Sequence, residues 1–157
     1  MTVKVLNHPL INVLMTNLRS KETSSFEFRY TAKKISSLMA YEIFKDLKIE
    51  RKKIDTPLDN FLGAKVKDPK PCVISILRAG LIISEGITDI FDDVSIGHIG
   101  MYRDEKTLSP VNYLIKLPSN LQNRQCFLCD PMLATGGSAI SSLETLKQNN
   151  ASDITLI

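Results

Sequence analysis

The densest chemistry in this chain lies in residues 127–140, FLCDPMLATGGSAI. An apolar run ends on Asp130, Pro131, Met132, Leu133 and Ala134 follow as a short loop, and Thr135-Gly136-Gly137-Ser138 opens a stretch of helical character. The first N–H groups of a helix have no partner within it, and the helix dipole favours an anion beside them. Paired glycines let the main chain approach a phosphate closely, while Thr135 and Ser138 supply hydroxyl donors. Asp130, about one sugar's width away, is suited to accept hydrogen bonds from ribose hydroxyls. Together these residues read as a phosphate cradle beside a sugar-binding acid. The bland alternative is a plain glycine turn, since serine is common near a helix start in any case. No lysine follows the glycines, which excludes a Walker loop. Ser138 is not framed as G-x-S-x-G, which excludes a nucleophile elbow.

Two arginines stand at comparable places. Arg78-Ala79-Gly80 follows the apolar run Val73–Leu77, and Arg103 follows another apolar segment. A guanidinium pairs with phosphate oxygens in a planar, bidentate fashion, which makes both candidates for an anionic group. A salt-bridged strand end for Arg78 and a solvated loop charge for Arg103 are the alternatives. The two histidines, His8 and His98, have no acid or nucleophile at useful spacing. His8 precedes Pro9 and shapes a turn, and His98 reads as structural.

The elements that must position these groups alternate along the chain. Phe28, Ala32, Ile35, Met39, Ile43 and Leu47 recur at steps of three and four, predicting an amphipathic helix over Ser25–Leu47. Ser24 and Glu27 have capping-box spacing at its start. A shorter helix is expected after Pro9. Val73–Leu77 is apolar throughout, as in a strand buried on both faces. A helix over Leu81–Ile90, a strand over Val94–Tyr102, a loop over Arg103–Pro110 and a returning strand over Val111–Leu117 follow. Gln125–Cys129 reads as a strand, Gly136–Gln148 as a helix and Asp153–Ile157 as a last strand. Such alternation predicts an α/β fold, a mostly parallel sheet flanked by helices. Ligands in such sheets bind beyond the carboxyl ends of the strands. That rule selects the same three segments: Arg78–Gly80, Arg103 and the residues after Cys129.

Composition narrows the class. A length of 157 residues suits one domain, and 43% hydrophobic with 24% charged residues is ordinary for a globular chain. No run of apolar residues is long enough to span a membrane. The amino terminus, MTVKVLNHPLINVL, lacks the unbroken apolar core of a secretory signal. Lys and Arg number 20 against 17 Asp and Glu, and no segment concentrates the excess, so no nucleic-acid partner is expected. Lys45–Lys53 holds five cations with Asp46 and Glu50 among them and reads as a solvated helix end and linker. Three cysteines fit a reducing cytoplasm better than a disulfide scaffold. Cys126 and Cys129 have CxxC spacing, but residues three apart on a strand point to opposite faces and cannot share a metal.

Segment 130–138 resembles the phosphoribosyl pyrophosphate (PRPP) loop of type I phosphoribosyltransferases, and as DPMLATGGS it is similar to the uracil phosphoribosyltransferase branch. HPL at His8–Leu10, YE at Tyr41-Glu42, ILRAGL at Ile76–Leu81, GMYRDE at Gly100–Glu105 and PVNYLIKLP at Pro110–Pro118 resemble that branch in the same order. The resemblance implies that Asp130 to Ser138 hold the ribose and 5′-phosphate of PRPP. It implies that Arg78, Ala79 and Gly80 face the pyrophosphate, and that Arg103, in a flexible hairpin loop, reaches it too. The implied fold is a single type I phosphoribosyltransferase domain over 1–157, expected to be C-terminally incomplete, with a helical and strand portion over 1–70 and a PRPP-binding core over 71–157.

The implied reaction is uracil plus PRPP giving UMP and pyrophosphate, a step of pyrimidine salvage. Mg²⁺ is implied as a cofactor bound mainly through PRPP and water. Many relatives carry two adjacent acids before the loop; Asp130-Pro131 offers one carboxylate, so no side chain is assigned as a metal ligand. Self-association is implied, as is activation by GTP, which some members show. The family's uracil-recognition segment, a glycine-rich stretch with an aspartate, is expected beyond the equivalent of Ile157, so no uracil-binding residue is assigned. A PRPP-binding regulatory module without catalysis is the alternative reading. An RNA-binding regulator on the same scaffold fits the dispersed charge least.

Overall fold

A computed structural model describes residues 2–104 and 110–157. The two amino-terminal helices form where the sequence carries complete start signals. In α1 (Pro9–Arg19) proline occupies the first turn, and His8 Nδ1 accepts the Leu10 N–H at 3.2 Å. Before α2 (Ser25–Ile43), Ser24 Oγ accepts the Glu27 N–H while the Glu27 carboxylate accepts the Ser24 N–H, the full capping box. The apolar stripe runs further than the helix does. α2 ends at Ile43, and Phe44–Asp46 tightens into a 3₁₀ turn.

Lys45–Lys53 departs from the linker expected of it. Ile49–Asp55 is strand β1, paired antiparallel with β2 (Asn60–Val66) in a separate two-stranded sheet. Glu50 faces Lys65 in this register, and their side chains form an ion pair at 2.6 Å. Most of the hairpin is solvent-exposed on both faces, so no core imposes the alternating pattern by which strands are recognised.

The main sheet contains β3 (Cys72–Leu77), β4 (Ser95–Arg103), β5 (Pro110–Lys116), β6 (Gln125–Cys129) and β7 (Asp153–Leu156), in the order β5-β4-β3-β6-β7. All neighbours are parallel except β4 and β5. The expected α/β architecture is therefore present, with α3 (Leu81–Thr88) and α4 (Gly137–Gln148) following β3 and β6. Cys72, Ile74, Ile76, Ile99, Cys126 and Leu128 pack on one face with Leu146 of α4. Val73, Phe127 and Cys129 pack on the other with Ala40 of α2 and Ile83 and Ile87 of α3. Cys126 and Cys129 thus lie on opposite faces, as their spacing requires.

The chain moves outward from β3 to β4 and β5, then returns to place β6 and β7 on the other side. The strand order therefore reverses between β3 and β6. A crevice opens at such a point because the helices after the two strands leave toward opposite faces.

α2 and α3 cross closely at Gly86. A Cβ there would lie 2.5 Å from both the Lys33 carbonyl oxygen and Ser36 Cβ. At Gly63, in the exposed hairpin, the nearest atoms would be 3.5 Å away. Gly86→Ala is expected to destabilise the chain by about 1–3 kcal/mol through overpacking, with Gly63→Ala well below that range. Urea unfolding midpoints of the two variants check this.

Candidate functional site

Two of the three segments singled out by the carboxyl-end rule, Arg78–Gly80 and the residues after Cys129, flank the β3–β6 crevice. β3 passes through a cis Leu77–Arg78 peptide into Arg78 and Ala79, both exposed, and then into buried Gly80, where α3 begins. β6 ends at Cys129, Asp130 to Thr135 form the loop, and Gly136 is the N-cap of α4. Among the described residues none forms an ion pair with Arg78.

The two helices that start here differ from the two that start elsewhere. α1 and α2 carry side-chain caps from His8 and Ser24. α3 and α4 begin at Gly80 and Gly136 with no side-chain cap at all. Two adjacent helix starts therefore present backbone N–H groups and positive dipole ends that no side chain neutralises. Thr135 Oγ1 accepts only a long 3.5 Å contact from the Gly137 N–H.

The three glycines serve different ends. A Cβ at Gly80 would run into the Cys129 carbonyl oxygen and lie 2.8 Å from Ile76 N and O. Gly136 has φ +78°, a left-handed conformation that side chains resist. Gly137 has neither constraint, since its Cβ would meet nothing nearer than Thr135 Oγ1 at 3.7 Å. The fold itself does not require glycine at 137.

Asp130 is half-buried where β6 meets the loop. Burial raises its carboxyl above the usual carboxylate range, opposed by the Met132 N–H that it accepts. Its own N–H donates to the Ile157 carbonyl at 2.9 Å, and the Ile157 N–H donates to Leu128 at 2.8 Å. The residue after β7 therefore fixes the backbone of the acid, a positioning role with no side-chain signal in the sequence. Pro131, Met132, Leu133, Ala134 and Thr135 are exposed, and Gly136, Gly137 and Ser138 are half-buried. Arg103 closes β4, so the predicted loop begins one residue later. Only its backbone is described, and the rest of the predicted loop, 105–109, lies outside the described residues. His98 Nδ1 is buried without a hydrogen-bond partner, and His98 lies within β4 rather than at the crevice.

These placements make stability predictions. Gly136→Ala is expected to cost about 1–2 kcal/mol from its left-handed backbone, while Gly137→Ala is neutral or slightly stabilising. For Asp130, a raised folded pKa means that the folded chain holds the proton more tightly than the unfolded chain. Its contribution is therefore most favourable below the ordinary carboxylate range and declines as pH rises through it. Asp130→Asn should flatten that decline and unfold at an equal or higher urea concentration at neutral pH. Denaturation across a pH series checks both points.

Comparison with known proteins gives the family. The family model for uracil phosphoribosyltransferase matches residues 5–157. The uracil phosphoribosyltransferase of Pediococcus pentosaceus is 46% identical over 151 residues, covering 96% of this chain and 72% of that protein. That of Lactococcus lactis subsp. cremoris is 47% identical over 148 residues, covering 94% and 70%. Among solved structures, the AQ2163 protein from Aquifex aeolicus aligns with a TM-score of 0.87 at 30% identity, over 96% of this chain and 72% of that one. A hypoxanthine phosphoribosyltransferase from Staphylococcus aureus shares the fold at a TM-score of 0.58 and 16% identity, over 92% and 68%. On its sequence, this chain belongs to the uracil phosphoribosyltransferase family.

Proposed function

We propose that this chain transfers the phosphoribosyl group of PRPP to uracil, giving UMP and pyrophosphate. The observation that carries the reading is the pair of uncapped, glycine-started helices on either side of the strand-order reversal. One substrate bearing a phosphate at one end and a pyrophosphate at the other matches two adjacent anion-favouring helix starts. The 5′-phosphate would sit on the N–H groups of Gly137, Ser138 and Ala139, with the Thr135 and Ser138 hydroxyls beside them. Asp130 would accept the ribose hydroxyls. Arg78 and the Ala79 amide would face the pyrophosphate, while the Gly80 N–H already donates to the Ile76 carbonyl at 2.8 Å and Gly80 serves by letting the turn approach β6. Arg103 joins them on the family resemblance.

In the reaction, uracil N1 bonds to ribose C1 as the C1–O bond to pyrophosphate breaks. The ribose becomes cation-like and negative charge gathers on the leaving group. Arg78 and the α3 start then stabilise charge where it develops, while Asp130 and the α4 start hold the ribose in line. Among the described residues no three His, Cys, Asp or Glu side chains converge. The residues present fit a Mg²⁺ ion that arrives on PRPP and is held by substrate oxygens and water, with Asp130 as the nearest protein carboxylate in the loop. When bound, such an ion would supply positive charge to the pyrophosphate oxygens.

The test is UMP formation from labelled uracil and PRPP with Mg²⁺. Gly137→Asp is expected to abolish turnover while leaving the fold intact, because a Cβ there makes only an ordinary contact with Thr135 Oγ1 at 3.7 Å while the carboxylate places a negative charge in the cradle. Asp130→Asn should lower kcat/KM by about 10- to 100-fold through loss of charge-assisted hydrogen bonds. Mg²⁺-dependent PRPP binding with no turnover would instead favour a binding module on this scaffold.

A further inference from the structure

A second set of reactive atoms lies at the other end of the same two strands. Cys72 opens β3, Cys126 is the second residue of β6, and the two are register partners across the parallel pair. Neighbouring strands lie about 4.8 Å apart, within the span of roughly 4.4–6.8 Å that a disulfide accepts between Cα atoms. The Sγ atoms are 3.4 Å apart, with the Cys72 S–H donating to Cys126, and both side chains enter the cluster beneath α4. Cys129 faces the opposite side of the sheet and cannot compete.

We propose that Cys72 and Cys126 form an oxidisable dithiol, converted by a small peroxide into an intramolecular disulfide. The Cys126 sulfur attacks one peroxide oxygen, the O–O bond breaks, and water leaves with the thiol proton, giving a sulfenic acid. Cys72 then attacks that sulfur, the S–S bond forms, the S–O bond breaks, and a second water departs with the second thiol proton. Two thiols lose two electrons and two protons to one hydrogen peroxide, which becomes two waters.

Three observations support this assignment. The hydrogen bond from Cys72 holds the Cys126 thiol below its usual range against the effects of burial and Asp153, with Arg124 assisting. The same bond and burial push Cys72 up, and burial alone pushes Cys129 up to about 12. Cys126, the hydrogen-bond acceptor of the pair, is assigned as the first sulfur to react, and Cys129, on the opposite face of the sheet, lies outside the reaction. Both sulfurs are buried, but their sequence neighbours Pro71, Arg124 and Gln125 line a polar cleft of about 470 Å³. This cleft brings solvent to the amino ends of β3 and β6. The bond would tie those ends together while residues 78–80 and 130–138 occupy the carboxyl ends.

To test this, the reduced chain is treated with hydrogen peroxide, quenched, unfolded, alkylated and mapped by mass spectrometry. The expected result is loss of two of the three thiols and a mass lower by two hydrogen atoms. A Cys72–Cys126 cross-linked peptide should appear, and dithiothreitol should reverse all three changes. Cys129→Ser should keep the cross-link and Cys126→Ser should lose it. If either variant fails to fold, the wild-type peptide map decides alone. The proposal is overturned if all three thiols still alkylate once exposed Met132 has become a sulfoxide. Pairing through Cys129, or between chains, overturns it equally.

Discussion

Where α3 meets β6, the Gly80 Cα hydrogens face the Cys129 carbonyl oxygen and the backbone of Ile76 at separations that leave no room for a Cβ. This contact lets the turn after β3 press against the end of β6, one residue before Asp130. The other features of the crevice depend on it. A larger residue at position 80 would force the turn away from β6 and separate the two loops. Nearby, Ser75 Oγ donates to Ser84 Oγ at 2.8 Å and Ser84 Oγ donates to the Leu81 carbonyl at 2.9 Å. These buried hydroxyls anchor the first turn of α3 to the strand below it. A buried polar chain of this kind stabilises only one arrangement, since any shift leaves a hydroxyl unpaired.

The crevice combines two physical devices. Parallel strands buried on both faces give a rigid floor, formed by the Cys72–Leu77 and Gln125–Cys129 backbones. Uncapped helix starts give fixed positive ends that need no reorganisation when charge moves, which suits a reaction whose leaving group becomes more anionic. The proposed site concentrates few charged side chains, and its Asp130 is disfavoured as an anion by burial. β7 contributes through its backbone alone, by way of the Ile157 bond to Asp130.

Much of this was legible in the chain. The Val73–Leu77 and Gln125–Cys129 runs, the Ser24–Glu27 box and the glycines before α4 each have a local cause, so the sequence carries them openly. The β1–β2 hairpin was not legible, because Ile49–Asp55 packs against no core and shows no period of two. The end of α2 was misplaced for a related reason: Leu47 continues the apolar stripe, but the backbone has already tightened at Phe44. At the site, the loops were found by residue type, whereas their adjacency depends on strand order. That order is a long-range property which no short window encodes. The requirement at Gly80 and the Ile157–Asp130 bond are likewise backbone contacts between distant segments, without a side-chain signature.

The central claim is that the loops after β3 and β6 form one composite site with two separate anion positions. Titration calorimetry with Mg²⁺ tests it most directly, using pyrophosphate and ribose 5-phosphate alone, together and against PRPP. The account predicts that each fragment binds in the presence of the other. It also predicts that PRPP displaces both and binds about 100-fold or more tightly than either, because the second contact becomes intramolecular. Competition between the two fragments for one position, or PRPP binding no tighter than ribose 5-phosphate, would contradict it.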